Sequence, residues 1–246
     1  MMEACVIIPA RFKSSRFPGK PLTQLNGKEM ILWVAELSSE AVGISNVFVA
    51  TDDLRISEIV EKKGFKAILT DSDLLTGTDR VAEAAIGLKY KIIINVQGDE
   101  PIVNPNDILK AIELKKKYPE SVINSFCFMG KEEDPKNKNI PKVVTNENND
   151  LIYISRAVIP NSKKTNNFSK YKKQVCIYAF YKDQLKDFYS FRRKSYLENI
   201  EDIEILRFFE LGINVKMYES LTASLAVDVP EDIFKVEIAL KNKLEK

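Results

Sequence analysis

Histidine is absent from this chain of 246 residues. Without imidazole there is no Ser-His-Asp or Cys-His nucleophile pair, no zincin motif, and no histidine acting as acid, base or metal ligand. Cysteine is scarce: Cys5, Cys127 and Cys176 stand far apart with no CxxC spacing, which argues against a thiolate zinc site or redox pair and leaves three reduced thiols. No apolar run approaches the ~20 residues of a membrane span, and the opening MMEACVII carries an acid where a leader would be basic, so a cytoplasmic protein is expected. An excess of one charge is lacking too. Against 35 Asp and Glu there are 37 Lys and Arg, a net +2 that offers no global field to nucleic acid or a membrane, so any anion site must be local. The basic runs 115–117, 163–164, 172–173 and 192–194 are dispersed and read as solvated faces.

With 45% apolar and 29% charged residues, the chain has the composition of a soluble globular protein long enough to bury a core without staples. Short Val- and Ile-rich runs alternate with segments of helical period, which predicts a mainly parallel sheet covered by helices. Strands are expected at Ala4–Pro9, Asn46–Thr51, Phe65–Leu69, Lys91–Val96, Ser121–Phe128, Val175–Phe180 and Val215–Tyr218. Helices are expected at Lys28–Glu40, Leu54–Lys63, Asp79–Leu88, Asp107–Lys117 and Glu198–Leu211, with a closing one after Pro230. KIIINV, apolar almost throughout, suits a central strand buried on both faces. The stretch 131–180, rich in Lys, Asn and Pro from 131 to 173 around short strand-like pieces at Lys142–Thr145 and Leu151–Ser155, reads as an insertion or small lobe within a single domain spanning 1–246.

Four polar loops follow predicted strands, where α/β sheets bind ligands. PARFKSSRFPGKP begins with Pro9 and Ala10 and brings Arg11, Ser14, Arg16 and Lys20 into one loop whose cations and amides could neutralise a polyphosphate. It is not a Walker loop, since Ser14 stands five residues before Gly19 and Lys20 precedes Pro21; GxGxxG occurs nowhere. A solvated basic loop would read the same. TGTDR, with Thr76, Gly77, Thr78 and Arg80, opens a helix and could donate hydrogen bonds to a base or phosphate, or be a plain cap. NVQGDEP sets Gln97, Asp99 and Glu100 just past the most apolar strand, where a carboxylate could hold a hydrated magnesium ion or merely turn the chain. Asp228 in AVDVPED is a further carboxylate, or a capping acid.

Taken in order and at these intervals, VIIPARFKSSRFPGKPL, NGKEMI, VATDD, TGTDR, INVQGDEP, YISRAVIP and VDVPEDI resemble the 3-deoxy-manno-octulosonate (Kdo) cytidylyltransferases, the CMP-Kdo synthetases, over nearly the whole chain. The resemblance implies a nucleotide-diphospho-sugar transferase fold, usually homodimeric, that moves CMP from CTP to an eight-carbon ulosonic acid and releases pyrophosphate for bacterial lipopolysaccharide or capsule synthesis. It implies that Arg11 and Lys20 hold the triphosphate with help from Ser14, and that Asp99 and Asp228 bind Mg2+. Gln97 and Arg16 then meet nucleotide or sugar, and Tyr178 and Glu204 fall in the sugar pocket. Such chemistry is alignment and charge neutralisation, for which histidine is not needed.

The departures gather at the sugar end. Gln174 replaces the family's usual histidine, Cys176 a glycine, Ile205 a glutamine and Leu74 a polar residue. A glutamine can replace neutral imidazole as a hydrogen-bond partner but not as a cation. A modified acid such as 8-amino-Kdo is therefore an alternative acceptor, and a nucleotide-binding regulatory homologue without turnover an alternative function.

Overall fold

The structure is a computed structural model that describes residues 3–13, 17–161, 171–222, 225–227 and 229–244. The first strand, β1 (Ala4–Ala10), is buried along its whole length, with Val6 and Ile8 in one core and Cys5 and Ile7 in the other. That two-sided burial is why its residues are apolar without alternation. Beside it lie β4 (Val47–Thr51) and then β5 (Lys66–Leu69), and on its other side β6 (Ile92–Val96), all parallel. Beyond β6 comes β10 (Lys172–Tyr181), antiparallel to both its neighbours, then β7 (Val122–Phe128) and the parallel β11 (Val215–Glu219). The sheet is thus mixed and mainly parallel, as the sequence predicts.

Helices α1 (Met30–Val42), α2 (Leu54–Lys62) and α4 (Pro105–Lys117) close one face through Ile31, Ile56 and Ile108. On the other face α3 (Gly77–Ala85), α5 (Lys182–Ser190) and α7 (Ile205–Glu210) pack Val81, Phe188 and Phe208 against Ile7, Ile93 and Phe180. The rings of Phe180, Phe188 and Phe208 stack in series, with centroids 5.0 and 4.6 Å apart. A smaller cluster sets α8 (Ile233–Leu244), through Val236 and Leu240, against Leu25, Met30, Trp33 and Val227.

Three elements differ from expectation. The helix expected to start at Lys28 begins at Met30, because Asn26 and Gly27, at φ 49° and 80°, turn a hairpin between β2 (Gln24–Leu25) and β3 (Lys28–Glu29) first. The single helix expected over Glu198–Leu211 is two, α6 (Tyr196–Glu201) and α7, broken at Asp202, whose φ of 50° is left-handed. Helix α5 lies in the KDQLKDFYS segment, which has no expected element. Within 131–180, the hairpin of β8 (Lys142–Thr145) and β9 (Leu151–Ser155) branches from β10 through Lys172 and Lys173. It is tied to the body through Glu201 at the end of α6, which accepts from Ser155 Oγ at 2.6 Å and the Arg156 N–H at 2.9 Å.

Candidate active site

Strands β1 and β6 are in register with Ile7 opposite Asn95, so the chain leaves both at the same edge of the sheet. Pro9, Ala10 and Arg11 end one; Gln97, Gly98 and Asp99 end the other. The two ends touch. A Cβ at Gly98 would lie 2.9 Å from the Pro9 carbonyl oxygen, closer than real Cβ atoms come to anything, so only glycine lets the loops meet. The turn after β6 places Asp99 at its corner, closed by the Glu100 N–H donating to the Gln97 carbonyl at 3.2 Å.

Lys20 reaches this corner. Its Nζ lies 2.6 Å from Asp99 Oδ2 and donates to the Val227 carbonyl at 2.9 Å, while the Val227 N–H donates to the Asp99 carbonyl at 3.0 Å. Three segments far apart in sequence are thereby drawn to one half-buried carboxylate. Asp228 follows Val227 in the chain but lies outside the described residues, as do Ser14 and Arg16. Arg11 is exposed.

Arg80 is turned inward, 3% exposed, with its guanidinium on Thr70 Oγ1 and 3.5 Å from Asp52 Oδ2. Burial holds it below the ordinary arginine range; Asp52 opposes that shift and Arg11 adds to it.

The amides opening α3 already have a partner, Glu204. Its Oε1 accepts from the Gly77 N–H at 3.0 Å, and its Oε2 accepts from the Thr78 N–H at 2.8 Å and from the Thr78 hydroxyl. Thr76 caps the same helix end, with its hydroxyl 3.1 Å from the Asp79 N–H. Burial raises the Glu204 carboxyl above the usual carboxylate range although those hydrogen bonds from residues 77 and 78 pull it down. One turn on, the fully buried Arg207 binds Asp79 at 2.7 and 3.1 Å and Glu198 at 2.7 Å through each of two nitrogens. Glu204 and Arg207, three residues apart on one helical turn, together clamp the start of α3.

Gln174, Tyr178, Asn95 and Asn124 meet across β10, β6 and β7. Gln174 Nε2 donates to Asn124 Oδ1 at 3.0 Å and to the Tyr178 hydroxyl at 3.2 Å, so the amide nitrogen at the divergent position is shared between the asparagine and the tyrosine. Burial, first among several causes, pushes that phenol well above its ordinary range, and it stays a neutral donor and acceptor. Asn95 Nδ2 lies 3.4 Å from Thr78 Oγ1, linking this network to the Glu204 clamp, and its buried Oδ1 has no partner among the described residues. Ile205, 1% exposed, packs in the core and presents nothing to the cleft. Sequence reasoning overlooked Arg207, Asp79, Asn95 and Asn124. The signal was there in part: an arginine in ILRFFE and an asparagine in each of two mainly apolar strands need buried partners.

Among the described residues no helix is long and apolar enough to cross a membrane, and no cluster of three or more Cys, Asp or Glu could by itself hold a metal. The donors at the corner are nonetheless hard oxygens, the Asp99 carboxylate and the Val227 carbonyl, already gathered about a cation, the Lys20 ammonium. That donor chemistry suits magnesium.

A mixed α/β sheet with a cationic loop and a carboxylate at the carboxyl ends of adjacent parallel strands is the arrangement of a nucleotidyltransferase. Residues 5–218 match the family model described as cytidylyltransferase. The 3-deoxy-manno-octulosonate cytidylyltransferase of Escherichia coli is 36% identical over 244 residues, covering 99% of this chain and 98% of that one. The 8-amino-3,8-dideoxy-manno-octulosonate cytidylyltransferase of Shewanella baltica is 40% identical over 244 residues, covering 96% and 98%. A solved CMP:2-keto-3-deoxy-manno-octonic acid synthetase complexed with CTP superposes with a TM-score of 0.89 at 36% identity, covering 98% of this chain and all of that one. The chain belongs to the 3-deoxy-manno-octulosonate cytidylyltransferase family.

Proposed function

We propose that the protein activates 3-deoxy-manno-octulosonate, or a close ulosonic acid, by taking CMP from CTP. The observation that carries this reading is the corner where Lys20, Asp99 and the Val227 backbone converge between the ends of β1 and β6. A triphosphate laid along Arg11 and Lys20, with Pro9, Ala10 and Ser14 in the same loop, brings its α-phosphorus toward Asp99. The anomeric hydroxyl of the acid gives its proton to water and its oxygen attacks in line; the new bond to the α-phosphorus forms as the bond to the bridging oxygen breaks, and the electron pair leaves on pyrophosphate. Lys20 neutralises charge building on the leaving group while holding Asp99 oriented.

Magnesium, held by Asp99 and Asp228, would supply Lewis-acid stabilisation of phosphoryl charge and ease deprotonation of the attacking hydroxyl. Thr76, Gly77, Thr78 and Arg80 shape the nucleotide side of the cleft. Arg16, Gln97, Gln174, Tyr178 and Glu204 shape the acceptor side. The relatives' names support CTP and a Kdo-type acid as substrates; a cytoplasmic homodimer supplying lipopolysaccharide or capsule is the setting we propose.

Pyrophosphate release with CTP and magnesium, comparing Kdo with its 8-amino analogue, tests the reading. Turnover with Kdo is expected. Turnover with the analogue alone assigns the acceptor to the second group of relatives, and none with either overturns the proposal. Asp99→Asn should lower turnover by at least about 100-fold while far-UV dichroism and melting stay as in the parent.

A further inference from the structure

At the mouth of the cleft the space beside Gly77 is already taken. A Cβ built on Gly77 would lie 3.1 Å from both Nε2 and Oε1 of Gln97, and 3.3 Å from Glu204 Oε1. Those separations are tighter than most real Cβ contacts, so a neighbour would have to give by a few tenths of an ångström. The backbone of Gln97 cannot give readily. Its N–H donates to the Cys176 carbonyl at 3.3 Å and its carbonyl accepts from Glu100 at 3.2 Å, which pins the residue on both sides. Nor can Gly77 retreat, because its N–H is held at 3.0 Å by Glu204 and it opens α3. Pressure at this point goes into the Gln97 carboxamide.

Gly77 has no positive φ, so its backbone conformation does not require glycine. Helical propensity favours alanine over glycine. What favours glycine is the space. We propose that Gly77 is a positioning residue: its missing side chain lets the Gln97 carboxamide lie flat against the start of α3, aimed into the cleft, where it meets substrate. Glu204 takes part as the other wall, holding the Gly77 amide so that the gap keeps its width. The proposal rests on the cytidylyltransferase reading for its kinetic test, and has a second readout that does not.

A double-mutant cycle of Gly77→Ala and Gln97→Ala tests it. In the parent background Gly77→Ala is expected to lower kcat/KM for pyrophosphate release roughly tenfold, since reacting groups tolerate displacements of only about 0.5 Å. Melting temperature should stay unchanged or rise. In the Gln97→Ala background the same substitution should cost less than about twofold. An equal loss in both backgrounds would mean that the new methyl meets substrate directly, and would overturn the proposal; so would no loss at all. A fall in melting temperature would mean that the cap by Glu204 is broken, and would overturn it as well. Independently of turnover, the side-chain amide resonances of Gln97 in the free, 15N-labelled protein should move in Gly77→Ala. If they stay in place the proposal fails, whereas a parent protein that turns over no ulosonic acid counts against the enzymatic reading alone.

Discussion

Position 98 shows how little room the chain ends have. The Pro9 carbonyl oxygen lies where an alanine methyl would press at 2.9 Å, and backbone on both sides prevents either from moving far. Gly98→Ala should therefore destabilise the protein by about 1–3 kcal/mol in urea unfolding and lower turnover with it, as overpacking does. An unchanged midpoint would mean that the two loops are not in contact. The thiols make a second residue-scale expectation. Cys5 and Cys127 are buried, and burial pushes the Cys5 thiol up to about 12, which leaves almost no thiolate at neutral pH. Cys176 is half-buried. Mild alkylation of the native protein should modify Cys176 first, read by peptide mass, and all three only after unfolding. Rapid native labelling of Cys5 would contradict the placement of β1. The glycine at 98 was legible as part of a turn, but its reason was not, because a clash with Pro9 depends on which strands are neighbours.

Among the elements, α7 has the largest hold on the site for its size. Its six residues carry Arg207 into a pocket between Asp79 and Glu198, both nearly or fully buried. Removing one partner of such a group leaves uncompensated charge in a low dielectric, so Arg207→Met should cost about 3–5 kcal/mol. Because Asp79 belongs to α3, the loss should also loosen residues 76–80, seen as faster amide exchange there than in α4. Equal exchange in both helices would show that the clamp is not what holds α3. The break before α7 was hidden from periodicity. Leu197, Ile203 and Leu206 keep an apolar rhythm across it, while the left-handed Asp202 that ends α6 is an ordinary polar residue in the sequence. The strands were more readable, because both-sided burial demands unbroken apolar runs such as KIIINV.

For the molecule as a whole, buried lysines matter more than the near-zero net charge. Lys115 is fully buried, its ammonium donating to the carbonyls of Pro119 and Ser121 at 2.8 and 2.6 Å and to Gln184 Oε1 at 2.7 Å, with no salt bridge among the described residues. Burial lowers it to about 7, and Glu120 only partly offsets this. Above about pH 7 the unfolded chain therefore holds a proton that the folded one has released, and folding stability gains as pH rises toward the unfolded value near 10.5. The difference in unfolding free energy between the parent and Lys115→Met should grow by about 1–2 kcal/mol from roughly pH 7 to pH 9. A flat difference would mean that Lys115 keeps its charge in the folded state.

By itself the sequence determined the class of fold, the order of the main-sheet strands and of the helices other than α5 and the split pair α6 and α7, and the loops that carry cations and carboxylates. Burial periodicity and turn chemistry are local, and they survive in one dimension. It also determined what chemistry is closed to the protein, since no arrangement can supply a histidine that is not there. Only the tertiary structure decided that Lys20, Asp99 and Val227 share one corner, that Glu204 spends both oxygens on the start of α3, and that the Gln174 amide nitrogen meets Asn124 and Tyr178. These pairings join residues up to 207 positions apart. Which of many possible partners a polar side chain meets is set by the sheet order, and sheet order is a property of the packed whole.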